Sequence, residues 1–229
     1  MVAYTRRRVE DYMKLFSLLI LLFCMIRAEI DFRLSADIHP SLITTNEEGL
    51  LINSSKIKYS ILDQTFQSLV LEIEDAMMST IEVPEPGEAG GYAHEKHKQN
   101  YRDMRKAGEL FVITRDSKYA DFVKDMLNGD AKLYPTLGPH PFAKPQKPGK
   151  LFHQMLNEAV WLTNVSIAYD CVYNWLDEES RKTFEENIFS PMVDWFTVIN
   201  AHEFDRIHNH GMWACAAVGM YGIVTRNEE

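Results

Sequence analysis

The segment Arg206-Ile-His-Asn-His-Gly-Met-Trp213 gathers two imidazoles, an amide and a glycine where an apolar run, Met212 to Val224, begins. Polar groups at the mouth of an apolar helix are costly to bury unless each finds a partner. The run predicts a helix starting near Asn209 or His210, whose N-terminal dipole adds partial positive charge at the same point. Amide, imidazole and dipole together suit an anion, above all a carboxylate that must be neutralised before a neighbouring bond can react. Asn209 and His210 are therefore the candidate catalytic pair, with His208 beside them as a substrate contact. A competing reading makes His208 and His210 a His-x-His metal pair. Catalytic zinc takes about three protein ligands, and no Cys pair or His-Glu-x-x-His motif completes the set, although His202, Glu203 and Asp205 lie close by. With no phosphate loop, dinucleotide fingerprint or Gly-x-Ser-x-Gly elbow in the chain either, the expectation is a site without metal or cofactor.

A second stripe carries Gln154, Asn157, Glu158 and Trp161, which fall at i, i+3, i+4 and i+7 on one face of an otherwise apolar helix. Amides next to an aromatic ring suit a sugar, whose hydroxyls take paired hydrogen bonds while its C–H face stacks on the ring. The same stripe reads equally well as a satisfied buried network with a core tryptophan. Lysines 144, 147 and 150 sit in the proline-rich stretch just ahead of it. Lys96, Lys98, Arg102, Arg105 and Lys106 crowd the preceding helical segment. A basic rim on an acidic protein can draw a polyanion to one cleft, whereas a solvated helix face is the commoner meaning of such a run. Gln154, Asn157, Trp161, His208 and Lys147 are the candidate substrate-binding residues.

These groups need helices to hold them, and helical periodicity dominates the chain. Apolar residues recur at helical spacing from Ser55 to Met78, and further helices are predicted from His94 to Val112 and from Ser117 to Leu133. Val83 to Gly91 reads as a loop, and Tyr134 to Lys150, with five prolines, reads as a long functional one. An inner helix follows from Leu151 to Leu176. Another, capped by Asp177, runs to about Ile199 with a kink at Pro191. With almost no period-two pattern, the fold class is all-α. Hairpins of similar length, apolar inside and charged outside, suggest an α/α toroid or solenoid over an ordinary bundle.

Composition bounds the rest. The 229 residues are 46% hydrophobic with a formal charge of −9, enough for one core and unsuited to general nucleic-acid binding. Lys14, the apolar run Leu15–Ile26 and the small Ala28 form a signal-peptide pattern too short to span a bilayer comfortably, with residues 1–12 as an upstream extension. Cleavage predicts a secreted or periplasmic protein with no stable membrane insertion; an uncleaved anchor is the alternative. Cleavage also leaves Cys171 and Cys215, both in apolar helical patterns and expected in the core. The domains are then 1–28, an N-terminal lead-in over 29–54, and the helical domain over 55–229.

The stretches His94-Glu-Lys-His-Lys-Gln-Asn-Tyr101, Lys132-Leu-Tyr-Pro-Thr-Leu-Gly138, Gln154-x-x-Asn-Glu-Ala-Val-Trp161 and Asn209-His-Gly-x-Trp213 resemble, in order, the N-terminal toroid of alginate lyases. The nearest resemblance is to oligoalginate lyases of polysaccharide lyase family 17, related to the heparinase II/III type, over roughly residues 55–224. The resemblance implies an incomplete toroid here, with a β-sheet domain following it in the family. It also implies β-elimination on 1,4-linked uronate chains, with Asn209 and His210 neutralising the uronate carboxylate and an acidic polysaccharide or oligosaccharide as partner. The family's catalytic tyrosine corresponds to a position beyond Glu229. A non-catalytic carbohydrate-binding helical domain, or an inactive fragment, is therefore the alternative function.

Overall fold

The computed structural model describes residues 39–143 and 148–226. The signal-peptide pattern with Cys24, the lead-in up to residue 38, Lys144, the candidate Lys147 and Glu229 lie outside the described residues. Among the described residues the regular structure is entirely helical, which establishes the all-α class.

The lead-in contains a helix, α1 (Asn46–Ser55), started by a capping box in which Thr45 and Glu48 satisfy each other's backbone N–H groups. The helix expected from Ser55 begins instead at Ser60, because a turn over Lys56–Tyr59 separates α1 from α2 (Ser60–Met78). Helix α3 (Tyr92–Thr114) ends on the left-handed Arg115. The adjoining Asp116 accepts from Lys118 N and starts α4 (Ser117–Leu133). One 3₁₀ turn at Tyr134–Thr136 leads into the proline-rich stretch.

The inner helix is shorter than periodicity suggested, α5 running Met155–Val172. Asp177 caps α6 (Glu178–Phe184) through Ser180 N. The expected single helix to Ile199 is instead a relay: a π-helical turn (Glu185–Phe189), α7 (Ser190–Asp194) and a second π-helical turn (Trp195–Ile199). Pro191 cannot donate to residue 187 and its ring crowds that carbonyl, so the widened turn just ahead of it relieves the clash. A short α8 (Ala201–Phe204) precedes α9 (Asn209–Thr225).

Helices α3, α5 and α9 lie side by side with α5 in the middle, and all three run the same way. His94 and His97 near the start of α3 meet Phe152 just ahead of α5. Midway, Arg105 bonds Asn164, and Gly108 presses on Ala168 and Cys171 near the far end. Tyr221, late in α9, stacks on Phe189, whose ring also contacts Tyr169 late in α5. Helix α4 and the α6–α7 relay form a second layer behind them. Phe184, Ile188, Phe189, Met192 and Phe196 are fully buried between the layers with Leu162, Val165, Tyr169 and Ala217. The fixed orientation of this layer gathers three helix N-termini at one end.

The lead-in is latched to the far end of α5. Buried Asp170 receives His39 Nδ1 at 2.6 Å on one carboxylate oxygen and the N–H groups of Ser41 and Leu42 at 2.7 Å on the other. The His39 ring stacks on Tyr173 with centroids 4.0 Å apart.

Helix α9 is apolar all round, yet only one side is covered. Gly211, Ala214, Ala217, Tyr221 and Val224 are buried, whereas Met212, Trp213 and Ile223 are 63%, 43% and 43% exposed. Cys215 shares this open face, so the core position expected for it is corrected, while Cys171 is buried as expected. No described helix is long and apolar enough to cross a membrane.

Candidate functional site

The first turn of α9 presents the candidate pair at its tip, Asn209 exposed and His210 half-buried. His208 is the N-cap. Its Nδ1 accepts the Gly211 N–H at 3.0 Å, and its Nε2 lies 2.8 Å from the carboxylate of Glu203. Glu203 is 2% exposed, and its other oxygen accepts from Arg206 at 2.8 Å. Gly211 is required here, because a Cβ would run into the backbone oxygens of Arg206, Phe204 and Glu203. With both ring nitrogens of His208 engaged, this residue holds the turn and offers no lone pair to a metal or a substrate. The His208 and His210 rings sit 5.3 Å apart. Among the described residues no three His, Cys, Asp or Glu side chains are grouped to hold a metal ion.

On the neighbouring α5, Gln154 occupies the N-cap position without using its side chain as a cap. Asn157 is half-buried with its Oδ1 unpaired. Because α5 and α9 are adjacent and parallel, Gln154 and Asn157 share an end of the layer with Asn209 and His210. Trp161 is 1% exposed and leaves no ring face on which a sugar could stack. Its buried Nε1 has no hydrogen-bond partner.

Glu158, in the same stripe, is fully buried and organises the approach to α5. Its carboxylate accepts from Tyr134 Oη at 2.8 Å and from the N–H groups of Lys150 and Leu151 at 2.6 and 3.2 Å. Burial raises its pKa against the lowering effect of these donors. Gly149 lets the chain pass over Glu158, since a Cβ would meet that carboxylate and the Phe152 carbonyl. Lys150 folds inward over the rings of Tyr134 (4.4 Å) and Trp195 (5.8 Å), and burial lowers its pKa. Among the described residues of the basic run, Lys98 pairs with Glu95, Arg105 with Glu109 and Lys106 with Glu72.

Four histidines lie around Phe152 at the same end of the layer. His94 and His153 rings are 5.6 Å apart, and His140 and His153 6.5 Å. His97 bonds the Pro84 carbonyl at 2.9 Å and so ties the 83–91 loop to α3. Burial lowers the pKa of all four, that of His97 to about 4, so they enter neutral near pH 7. Sequence reasoning missed the roles of Glu203 and Glu158. The His208 cap left no sequence signal, whereas the Glu158 position was visible in the stripe.

Among the described residues this end of the layer brings amides, imidazoles and helix N-termini together. Such a surface can place donors against one carboxylate and neutralise it by hydrogen bonding.

The sequence profile of the alginate lyase family matches residues 55–229. The chain is 42% identical over 198 residues to an exo-oligoalginate lyase of Saccharophagus degradans, covering 86% of this chain and 27% of that protein. It is 40% identical over 195 residues to an alginate lyase of Stenotrophomonas maltophilia, covering 85% of this chain and 26% of that one. The chain thus spans about a quarter of the length of these relatives.

Proposed function

The chain belongs to the alginate lyase family, and on that premise we propose that it supplies the carboxylate-neutralising part of a lyase that cleaves 1,4-linked uronate chains by β-elimination. The proton on C5 of a uronate is too weakly acidic to remove while the adjacent carboxylate keeps its full charge. In this reading Asn209 and His210 hydrogen-bond that carboxylate and take up the charge that grows on it as C5–H breaks. The electron pair then forms the C4–C5 double bond as the C4–O bond breaks, and the glycosidic oxygen departs with the neighbouring sugar, taking up a proton to become its hydroxyl. Gln154 and Asn157 bind hydroxyls of the same chain from α5. The base that takes the C5 proton is assigned to no residue of this chain; the family resemblance implies a tyrosine further along.

The observation that carries the proposal is the parallel packing of α5 and α9, which puts Gln154 and Asn157 at the same end as Asn209 and His210. With the signal-peptide pattern, the reading extends to action outside the cytoplasm on an acidic polysaccharide or its oligosaccharides. A titration of the 15N-labelled chain with alginate trisaccharide tests it. The side-chain resonances of Asn157, Asn209 and His210 should shift together, and a version extended to the length of its relatives should raise ultraviolet absorbance as unsaturated uronate forms. Shifts confined to a different surface, or no binding at millimolar trisaccharide, would end it.

A further inference from the structure

We infer that Glu203 is a positioning residue for the Asn209–His210 pair, acting by fixing the tautomer of His208 so that this imidazole becomes a dependable helix cap. The inference rests on the proposed role of that pair.

Helix N-caps are ordinarily Ser, Thr, Asp, Asn or Gly. A histidine is a poor choice, because either ring nitrogen can carry the proton and only a bare nitrogen accepts. Here the assignment is forced from both sides. Gly211 N–H can only donate, so Nδ1 of His208, 3.0 Å away, must be bare. An ionised carboxylate can only accept, so Nε2, 2.8 Å from Glu203, must carry the proton. The result is a neutral ring whose two contacts each require the other's tautomer. Protonating Nδ1 would set an N–H against the Gly211 N–H and break the cap. Arg206 engages the second Glu203 oxygen and so holds the carboxylate facing Nε2.

The consequence reaches the site because Asn209 and His210 are the residues between the cap and its Gly211 partner. With the cap closed, their backbone is held in the first turn and their side chains leave from a fixed position. The contact also uses the close approach of the 203–206 backbone that Gly211 permits. Glu203 is itself buried and stands behind His208, so its effect on a ligand passes through the cap.

Two variants of the full chain test this. Two-bond 1H–15N spectra read the His208 tautomer, amide exchange reads the Gly211 N–H, and alginate trisaccharide titration reads the site. In the wild type His208 should show a protonated Nε2 and a bare Nδ1. Glu203→Ala should mix the tautomers, speed Gly211 exchange about tenfold and weaken trisaccharide binding by a similar factor, in line with the loss of one cap. Glu203→Gln keeps an oxygen acceptor and the side-chain volume, and should retain the wild-type tautomer and most of the affinity. If either variant folds and Glu203→Ala leaves tautomer and Gly211 exchange unchanged, the inference falls. The same holds if Glu203→Gln disturbs them as much as Glu203→Ala. If the spectra change as expected while the wild type binds no trisaccharide, Glu203 sets the His208 cap and it is the uronate reading that fails.

Discussion

Lowering the pH should unlock the loop that His97 holds. His97 is 1% exposed, donates Nε2–H to the Pro84 carbonyl and buries an unpaired Nδ1. Protonation would add an N–H with no acceptor and a charge facing the imidazoles of His94 and His140, with Glu95 and Lys98 the charged groups nearest His94. Its folded pKa of about 4 lies below the ordinary 6.5, so between these values the unfolded chain binds the proton more readily. Its contribution is therefore complete above pH 6.5 and is lost as pH falls toward 4. At ~1.4 kcal/mol per pH unit, the full window is worth ~3 kcal/mol, a large part of a stability of about 5–15 kcal/mol. Other groups titrate too. Asp130, raised to about 8 by burial, changes stability in the opposite sense. Comparing wild type with His97→Gln, which can still donate to Pro84, cancels those shared terms. In urea unfolding at pH 7.5, 6.0 and 4.5, the stability difference should move in the variant's favour by most of that ~3 kcal/mol at the lowest pH. A difference that stays constant over this range would refute the argument.

Gly211→Ala should destabilise the chain by ~2 kcal/mol, the usual scale for overpacking, because its Cβ has only backbone oxygens to meet; an unchanged urea midpoint would count against the described cap. Glu158→Ala should cost ~3 kcal/mol, since it strands buried donors from Tyr134, Lys150 and Leu151, with Glu158→Gln costing clearly less by thermal unfolding. In a version extended to the length of its relatives, His210→Ala should lose ~3 kcal/mol of transition-state stabilisation, read as a fall in kcat/KM on alginate oligosaccharide, and a variant within a factor of two of wild type would remove His210 from the chemistry.

Much of the helical framework was legible because its signals are local. Asp177 caps where the sequence places it, and α4 keeps its predicted limits. The Thr45–Glu48 capping box marks the start of α1 in the sequence, but the periodicity behind it is weak. The site was less legible. An α5 apolar on nearly all sides has no preferred face, so spacing alone could not decide whether Trp161 lined a cleft or filled the core. His208 looked like a ligand for a similar reason. Its tautomer is set by Glu203, whose burial depends on how α8 meets α9, and no residue type records that. The lysines leave a basic rim and a solvated face both open because sequence gives charge without partners, and Glu72, thirty-four positions from Lys106, is invisible at helical spacing.

The Asp170 latch bears on how the chain folds. It joins residues 128 to 131 positions apart, so it closes a loop that spans most of the described molecule. Loop closure becomes more costly as length grows, although slowly, and contacts of such sequence separation form after the local hairpins. The latch should therefore be absent from the folding transition state. Weakening it with Asp170→Asn should leave the refolding rate nearly untouched and raise the unfolding rate, which makes Asp170 a determinant of how long the folded molecule lasts more than of how fast it forms.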